Sequence, residues 1–211
     1  MKDLKMYVKE SIFSDVEDIV NNDTVLIDAV LKKDYDIRGT YVINKDGTVD
    51  VNGDVEVKNK KIESLTNGLF RFGVVSGGFY CFGCSNLKSL KGAPRKVGDG
   101  FDCHDCRNLK TIKDAPKEVG GNFWCYSCWE LTSLKGAPEK VEGGFYCHNC
   151  PNLATLKGAP KEVSGRFNCS YCPKLKTLEG APKELNGPIY AFGCDKLTIT
   201  DQDKVKYSIF E

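Results

Sequence analysis

The sequence repeats itself every 22 residues, and its cysteines mark the repeat most clearly. A first cysteine column contains Cys81, Cys103, Cys125, Cys147 and Cys169, with Ala191 in the sixth place, and a second contains Cys84, Cys106, Cys128, Cys150, Cys172 and Cys194. A period of this length is typical of solenoids, in which each repeat forms one coil. One coil cannot bury its own apolar side chains, so stacked coils must share a continuous core.

Apolar side chains keep the same period and define the rest of the coil. They read V-x-G-x-F-x-C-x-x-C-x-x-L-x-[ST]-L-x-G-A-P, as in the stretch from Val119 to Pro138. Alternation in Phe123-Trp124-Cys125-Tyr126 predicts one short strand per coil, with Phe and Cys pointing inward. Pro138 predicts a return bend, and the glycines before each Phe predict a tight corner with positive φ. The predicted fold is therefore a repeat solenoid with a short parallel β-sheet on one face and irregular returns.

The two ends depart from the repeat and are predicted to be caps. We expect a small α/β N-terminal cap over 1–53, the solenoid over 54–200 and a C-terminal cap over 201–211. Residues 1–38 have a helical pattern, and Lys45-Asp46-Gly47 predicts a β-hairpin between two strand-like segments, with Asn52-Gly53 as a second turn. Residues 54–65 resemble a degenerate first coil. The apolar residues expected to close the C-terminal end are Tyr207, Ile209 and Phe210.

The repeat resembles the leucine-rich repeat in its cysteine-containing form. It is most similar to a leucine-rich-like repeat of tailed-phage and bacterial proteins, with the signature L-T-S-L-x-G-A-P-x-x-V-G-G-x-F-x-C, which the segment from Leu131 to Val141 matches nearly throughout. The resemblance covers roughly residues 62–200. It implies a non-enzymatic protein-binding module of a phage or a bacterium, since leucine-rich repeats mostly bind other proteins.

The first eleven residues resemble the short capsid-targeting leaders of proteins that some tailed phages package in their heads. Those leaders begin Met-Lys, form a short amphipathic helix and are cut after a Glu two residues past an aliphatic residue, which Val8-Lys9-Glu10 matches. The resemblance implies cleavage after Glu10 and a place in the virion, as cargo or as a structural component. The alternative is an ordinary amphipathic helix at the start of the chain.

The paired cysteines allow three interpretations. Cys81-x2-Cys84-x18-Cys103-x2-Cys106 has the spacing of a four-thiolate zinc site, which would make the chain a zinc-dependent nucleic-acid-binding protein. Stacked cysteines would also lie within disulfide range, but the absence of a secretory signal favours a reducing, cytoplasmic compartment. Ala191 favours the third interpretation, a core ladder of free thiols, because alanine replaces a small apolar side chain but cannot replace a ligand. We therefore expect no metal and no other cofactor.

Side chains that point outward from the predicted strands are variable and rich in aromatic rings. Such patches tend to mark interaction sites, in which Trp and Tyr are favoured. The alternatives are that the rings stack across strands and merely stabilise the sheet, or that the N-terminal cap covers them. The candidate binding residues are Tyr80, Phe82, His104, Trp124, Tyr126, Tyr146, His148 and Tyr190.

Charge and composition limit the kinds of function that this chain can have. Thirty Lys and Arg residues balance 29 Asp and Glu residues, which makes nucleic acid an unlikely partner, although basic residues crowd the bends of the first two full coils. No apolar run is long enough to suggest a membrane span. Alternation directs Cys103 inward and His104 outward, so they cannot act as a catalytic pair. We expect a non-enzymatic protein that binds a protein partner, with a host protein as one candidate.

Overall fold

The computed structural model describes residues 23–66 and 68–211, and it is a parallel β-solenoid. The leader expected at residues 1–11 lies outside the described residues. Helix α1 is described over 23–34, and α2 spans Asp201–Lys206. The strands are β1 (Tyr35–Ile43), β2 (Thr48–Val57), β3 (Arg71–Val75), β4 (Phe79–Tyr80), β5 (Lys96–Val97), β6 (Phe101–Asp102), β7 (Glu118–Val119), β8 (Phe123–Trp124), β9 (Lys140–Val141), β10 (Phe145–Tyr146), β11 (Glu162–Val163), β12 (Phe167–Asn168), β13 (Glu184–Leu185), β14 (Ile189–Tyr190) and β15 (Ile209–Phe210).

Each full coil contributes two strands rather than the single strand predicted from alternation. The odd-numbered strands from β3 to β13 form one parallel ladder, and the even-numbered strands from β4 to β14 form the other, which β15 extends. Both ladders begin on β2, where Val51 pairs with Val75 and Val55 pairs with Phe79. The long strand β2 therefore pairs with the first strand of both ladders.

The core is built from residues that repeat at the same place in every coil. Phe79, Phe101, Phe123, Phe145 and Phe167 are fully buried and stack on one another, with ring centroids 5.1–5.5 Å apart. Both cysteine columns and the leucines that follow them are buried beside these rings. The inward columns predicted from the period are confirmed.

Glycines serve two different purposes in the coil, and one was predicted wrongly. The bend before each Ala-Pro pair needs positive φ, as at Gly136 with φ +92°. The glycines before each Phe do not have positive φ, contrary to the prediction. They are needed because neighbouring coils approach closely: a Cβ on Gly143 would lie 2.7 Å from the backbone oxygen of Gly121.

The N-terminal part forms the predicted hairpin but differs from the sequence reading in two places. Strand β1 pairs antiparallel with β2 over their full lengths, so residues 35–38 are extended rather than helical. Asn52-Gly53 is not a turn: Gly53 lies inside β2 opposite Gly39, and both have positive φ. Strand β2 continues across the boundary predicted between 53 and 54. Tyr35 packs edge-on against Phe72, with ring centroids 5.2 Å apart, and closes the core at this end.

The C-terminal segment adds one further layer to the solenoid. Helix α2 begins with a capping box, in which Thr200 and Asp203 each accept a hydrogen bond from the other's backbone N–H. Strand β15 pairs with β14, and the Tyr207 hydroxyl donates to the carbonyl of Pro182 at 2.9 Å. Neither described helix has the length and apolarity that crossing a membrane requires.

Candidate binding face

The aromatic face is the outward side of the even-numbered strands and of the residues that follow them. Strand register places the candidate residues in two columns. The first column contains Tyr80, Trp124, Tyr146 and Tyr190, together with Asp102 and Asn168, and the second contains Phe82, His104, Tyr126 and His148, followed by Ser170 and Phe192. All eight candidate residues are half-buried. They share one face, but much of their surface is already covered within the molecule.

Four rings of the second column form one continuous stack. Ring centroids are 5.2 Å apart from Phe82 to His104, 4.5 Å from His104 to Tyr126 and 4.5 Å from Tyr126 to His148, with planes within 12° of parallel. Lys60 Nζ covers the first ring at 4.0 Å from the Phe82 centroid. The cross-strand stacking considered as an alternative is therefore present, and it leaves mainly ring edges open to solvent.

The first column is packed less regularly than the second. Trp124 stacks on Tyr146 at 6.1 Å, and Tyr190 stacks on Phe210 at 5.3 Å. A Cβ on Gly100 would lie 2.6 Å from the indole ring of Trp124, so a side chain at position 100 would force this ring to shift. These contacts hold the Trp and Tyr rings in place before any partner binds.

The two histidines have different surroundings. His104 Nδ1 lies 2.7 Å from Asp102 Oδ1, which also accepts the His104 backbone N–H at 3.0 Å. His148 has no hydrogen-bond partner for its buried Nδ1 among the described residues, and burial lowers its pKa. His104 points outward, whereas Cys103 is fully buried and burial raises the pKa of its thiol well above the usual value. The two side chains diverge, as alternation predicted.

Sequence reasoning placed Phe192 in the outward column and left open whether Trp129 extends the aromatic patch, but it missed Tyr171, the most accessible aromatic side chain beside this face. Tyr171 is 61% exposed, Phe192 is 40% exposed, and Trp129 is exposed under the guanidinium of Arg107. Tyr171 adopts φ +56°, in a column whose other members are Gly83, Asp105, Ser127, Asn149 and Gly193, all with positive φ. Glycine, Asn and Asp are the residues that tolerate this conformation. A tyrosine in such a column is the signal that could have revealed the position.

The second cysteine column makes a hydrogen bond that spans neighbouring coils. The thiols of Cys106, Cys128, Cys150, Cys172 and Cys194 each donate to the carbonyl of the residue 25 positions earlier, at 3.2–3.4 Å. Those carbonyls belong to the first cysteine column, which contributes only its backbone to the bond. This arrangement explains why Ala191 is tolerated in the first column, and why the second column keeps a cysteine in the five coils after the first; among the described residues, Cys84 makes no such bond.

The thiols show the features of a core ladder rather than of a ligand set. All eleven cysteines are free and buried. Burial raises the pKa of Cys125 and Cys147 well above the usual value, which keeps these thiols protonated and unreactive. Within 23–66 and 68–211, no three His, Cys, Asp or Glu side chains are grouped so that they could hold a metal ion.

Charged residues on the odd-numbered strands, and directly before them, form a ladder of their own. Lys96 lies 2.7 Å from Glu118 in the next coil, and Lys117 lies 3.7 Å from Glu139. These pairs are exposed, so water and salt screen them and they add little to stability. Some of the basic residues near the bends of the first two full coils are thus neutralised by acidic residues of the next coil.

Comparisons with known proteins add no further assignment. No protein-family model, curated protein or solved structure matches this chain significantly. The described geometry and the repeat itself therefore carry the functional argument.

Proposed function

We propose that this chain is a non-enzymatic, leucine-rich-like module of a tailed phage or its bacterial host, and that it binds a protein partner through the aromatic face. Tyr171 is the observation that carries the proposal. A non-glycine residue with φ near +56° costs roughly 1–2 kcal/mol, and four other members of its column have the residue types that relieve this cost. The Tyr171 ring contacts Gly193 of the next coil but stays largely exposed, and we infer that a contact outside the chain offsets the strain.

The stacked rings favour a protein over a sugar or a nucleobase as the occupant. Sugars and bases bind aromatic side chains through ring faces, but the faces of His104 and Tyr126 are covered on both sides by neighbouring rings. Ring edges carry partial positive charge and attract carbonyl and carboxylate oxygens, which a protein surface supplies. Exposed Tyr171 and Phe192 add the kind of aromatic anchors that dominate protein interfaces.

The test uses the purified chain immobilised as bait in a bacterial lysate, followed by direct affinity measurement with the captured protein. Tyr171→Asn copies Asn149 of the preceding coil and should weaken binding while leaving stability unchanged or slightly higher. Trp124→Ala with Tyr146→Ala should abolish binding at a cost of about 1–2 kcal/mol in stability, because both rings are half-buried and stacked.

Val42→Ala is the control, because this exposed valine lies on β1, opposite the end of β2 that pairs with β3, and so away from the aromatic face. We expect its affinity for the captured protein to equal that of the wild type. Equal binding by Tyr171→Asn, by the double variant and by the wild type would remove the aromatic face as the binding surface. Failure to retain any protein above the background of bare beads would contradict the proposed function itself.

A further inference from the structure

A cleft of about 880 Å³ opens where the regular stacking of coils is interrupted. Its walls come from the turn of the β1–β2 hairpin at Asp46–Thr48, from the segment that leads into β3, and from the bends at Lys91–Arg95 and Asp114–Lys117. The segment between Leu65 and Phe79 is three residues longer than the equivalent segment of the next coil. This cleft therefore cannot recur further along the solenoid.

Four cationic side chains line the cleft: Arg71, Lys91, Arg95 and Lys117. In the part of the chain that the structure describes, only Lys117 lies within 4.0 Å of a carboxylate, that of Glu139 at 3.7 Å. The other three come from two neighbouring segments and are not neutralised by an ion pair. Basic residues in later coils commonly have such a partner, as Lys140 has in Glu142 at 2.7 Å.

Three carboxylates also line the cleft, but two of them are held by hydrogen bonds within the fold. Asp46 Oδ1 accepts from the backbone N–H of Thr48 at 3.0 Å and from its hydroxyl at 2.6 Å. Asp50 accepts from the Val74 N–H at 2.7 Å and from Asn44 Nδ2 at 2.9 Å. These hydrogen bonds orient the two carboxylates without removing their charge. Among the described residues, none of the three carboxylates of the cleft, Asp46, Asp50 and Asp114, lies within 4.0 Å of its cationic side chains, so the donors of Arg71, Lys91 and Arg95 remain free for a ligand.

We propose that this cleft binds a small molecule that carries two or more linked phosphate groups. The guanidinium groups of Arg71 and Arg95 present planar pairs of donors that match phosphate oxygens, while Lys91 and Lys117 add point charges beside them. The volume lies within the range of small-molecule sites. Cations contributed by three chain segments suit a chain of phosphates better than a single one. This site is separate from the aromatic face, so either proposal can fail without the other.

Calorimetric titration of the whole chain with inorganic pyrophosphate and with ATP, at low ionic strength, tests the proposal. We expect saturable binding of at least one probe, and tighter binding of ATP would indicate a nucleotide as the natural ligand. Equal affinity for the two probes would indicate that only the phosphate chain is recognised. Absence of saturable binding for both probes would overturn the proposal.

Two charge-matched variants separate a built site from general electrostatic attraction. Arg71→Gln with Arg95→Gln should weaken binding by about tenfold or more, because each guanidinium loses a charge-assisted hydrogen bond. Lys161→Gln with Lys183→Gln removes the same charge from positions equivalent to Arg95 in later coils and should leave affinity nearly unchanged. Equal weakening by both pairs would overturn the proposal. Thermal melting checks that each variant folds. If the Arg71→Gln, Arg95→Gln double variant does not fold, the single variant Arg95→Gln takes its place.

Discussion

The two cysteine columns should respond in opposite ways to the same pair of substitutions. Cys147 and Cys150 lie in one coil, and both are fully buried. The Cys150 thiol donates to the Cys125 carbonyl at 3.4 Å, and no other donor reaches that carbonyl among the described residues. The Cys147 thiol makes no such bond, and alanine occupies its place in the sixth coil as Ala191. The Cys150 thiol therefore stabilises the fold by hydrogen bonding as well as by packing, whereas the Cys147 thiol stabilises it by packing alone.

The expected free energies follow from these contacts. Cys150→Ala removes a buried sulfur, worth about 1 kcal/mol, and leaves a buried carbonyl unpaired, which costs about 1–3 kcal/mol more. Cys147→Ala should cost only about 1–2 kcal/mol, for the lost sulfur and a small cavity. Serine reverses the order: at 150 its hydroxyl keeps a donor for the Cys125 carbonyl, whereas at 147 it buries a polar group at a cost of about 1–3 kcal/mol.

Urea unfolding of the four single variants under reducing conditions measures these differences. Each coil interacts mainly with its neighbours, so shifts in the unfolding midpoint should be compared before any two-state free energy is assigned. We expect alanine to be better tolerated than serine at 147 and serine to be better tolerated than alanine at 150. The same order of alanine and serine at both positions would refute the role assigned to the thiol–carbonyl bond. It would mean that both cysteine columns stabilise the fold by packing alone.

Three further predictions concern the core and the aromatic face. His148 has a lowered pKa when folded, so the unfolded chain takes up the proton first, and stability present above about pH 6.5 should fall as the pH drops below that value. His148→Phe should remove this slope from unfolding curves measured between pH 7 and 5, and a slope that persists would assign it to another group. A thiol reagent should leave the native protein unmodified and react with all eleven cysteines after denaturation; rapid labelling of the native protein would contradict the burial. Phe123→Ala should cost about 3–5 kcal/mol, because its ring stacks between two others at 5.3 and 5.1 Å; a melting temperature close to that of the wild type would contradict this packing.

The inward half of each coil could be predicted because burial imposes one residue type at each step of the period. Five stacked Phe rings and two cysteine columns follow directly from the 22-residue spacing. The odd-numbered strands could not be predicted, because a pair such as Lys96–Val97 contains one apolar residue and shows no alternation. Asn52-Gly53 misled for a related reason: the same dipeptide that favours a tight turn also fits a strand where two glycines face each other, as Gly39 and Gly53 do.

The outward side of the candidate site was predicted in position but not in accessibility. Alternation places Trp124 and Tyr126 on the correct face, yet it does not indicate how rings tilt or what they cover. Neighbouring rings cover both faces of Tyr126, and the indole of Trp124 lies over Gly100. Tyr171 escaped notice because its column has the composition of a turn, where exposed side chains are usually small.

In a solenoid, positions that break the repeat pattern are the ones at which a function beyond stacking the coils can be sought. A regular coil must satisfy its two neighbours, so most substitutions in the inward columns are costly and the same residues recur. At a position that worsens the fit, such as Tyr171 in a positive-φ column, the side chain contacts Gly193 of the next coil, and the backbone N–H keeps its hydrogen bond to the Phe192 carbonyl, as the earlier members of the column do with the coil after them. The longer segment before β3 buries Phe70 in the core and also forms one wall of a cleft. Both irregularities present groups that the regular repeat lacks: an exposed phenol in one case, and guanidinium groups without an ion pair among the described residues in the other. We therefore place the two proposed sites at these departures from the repeat.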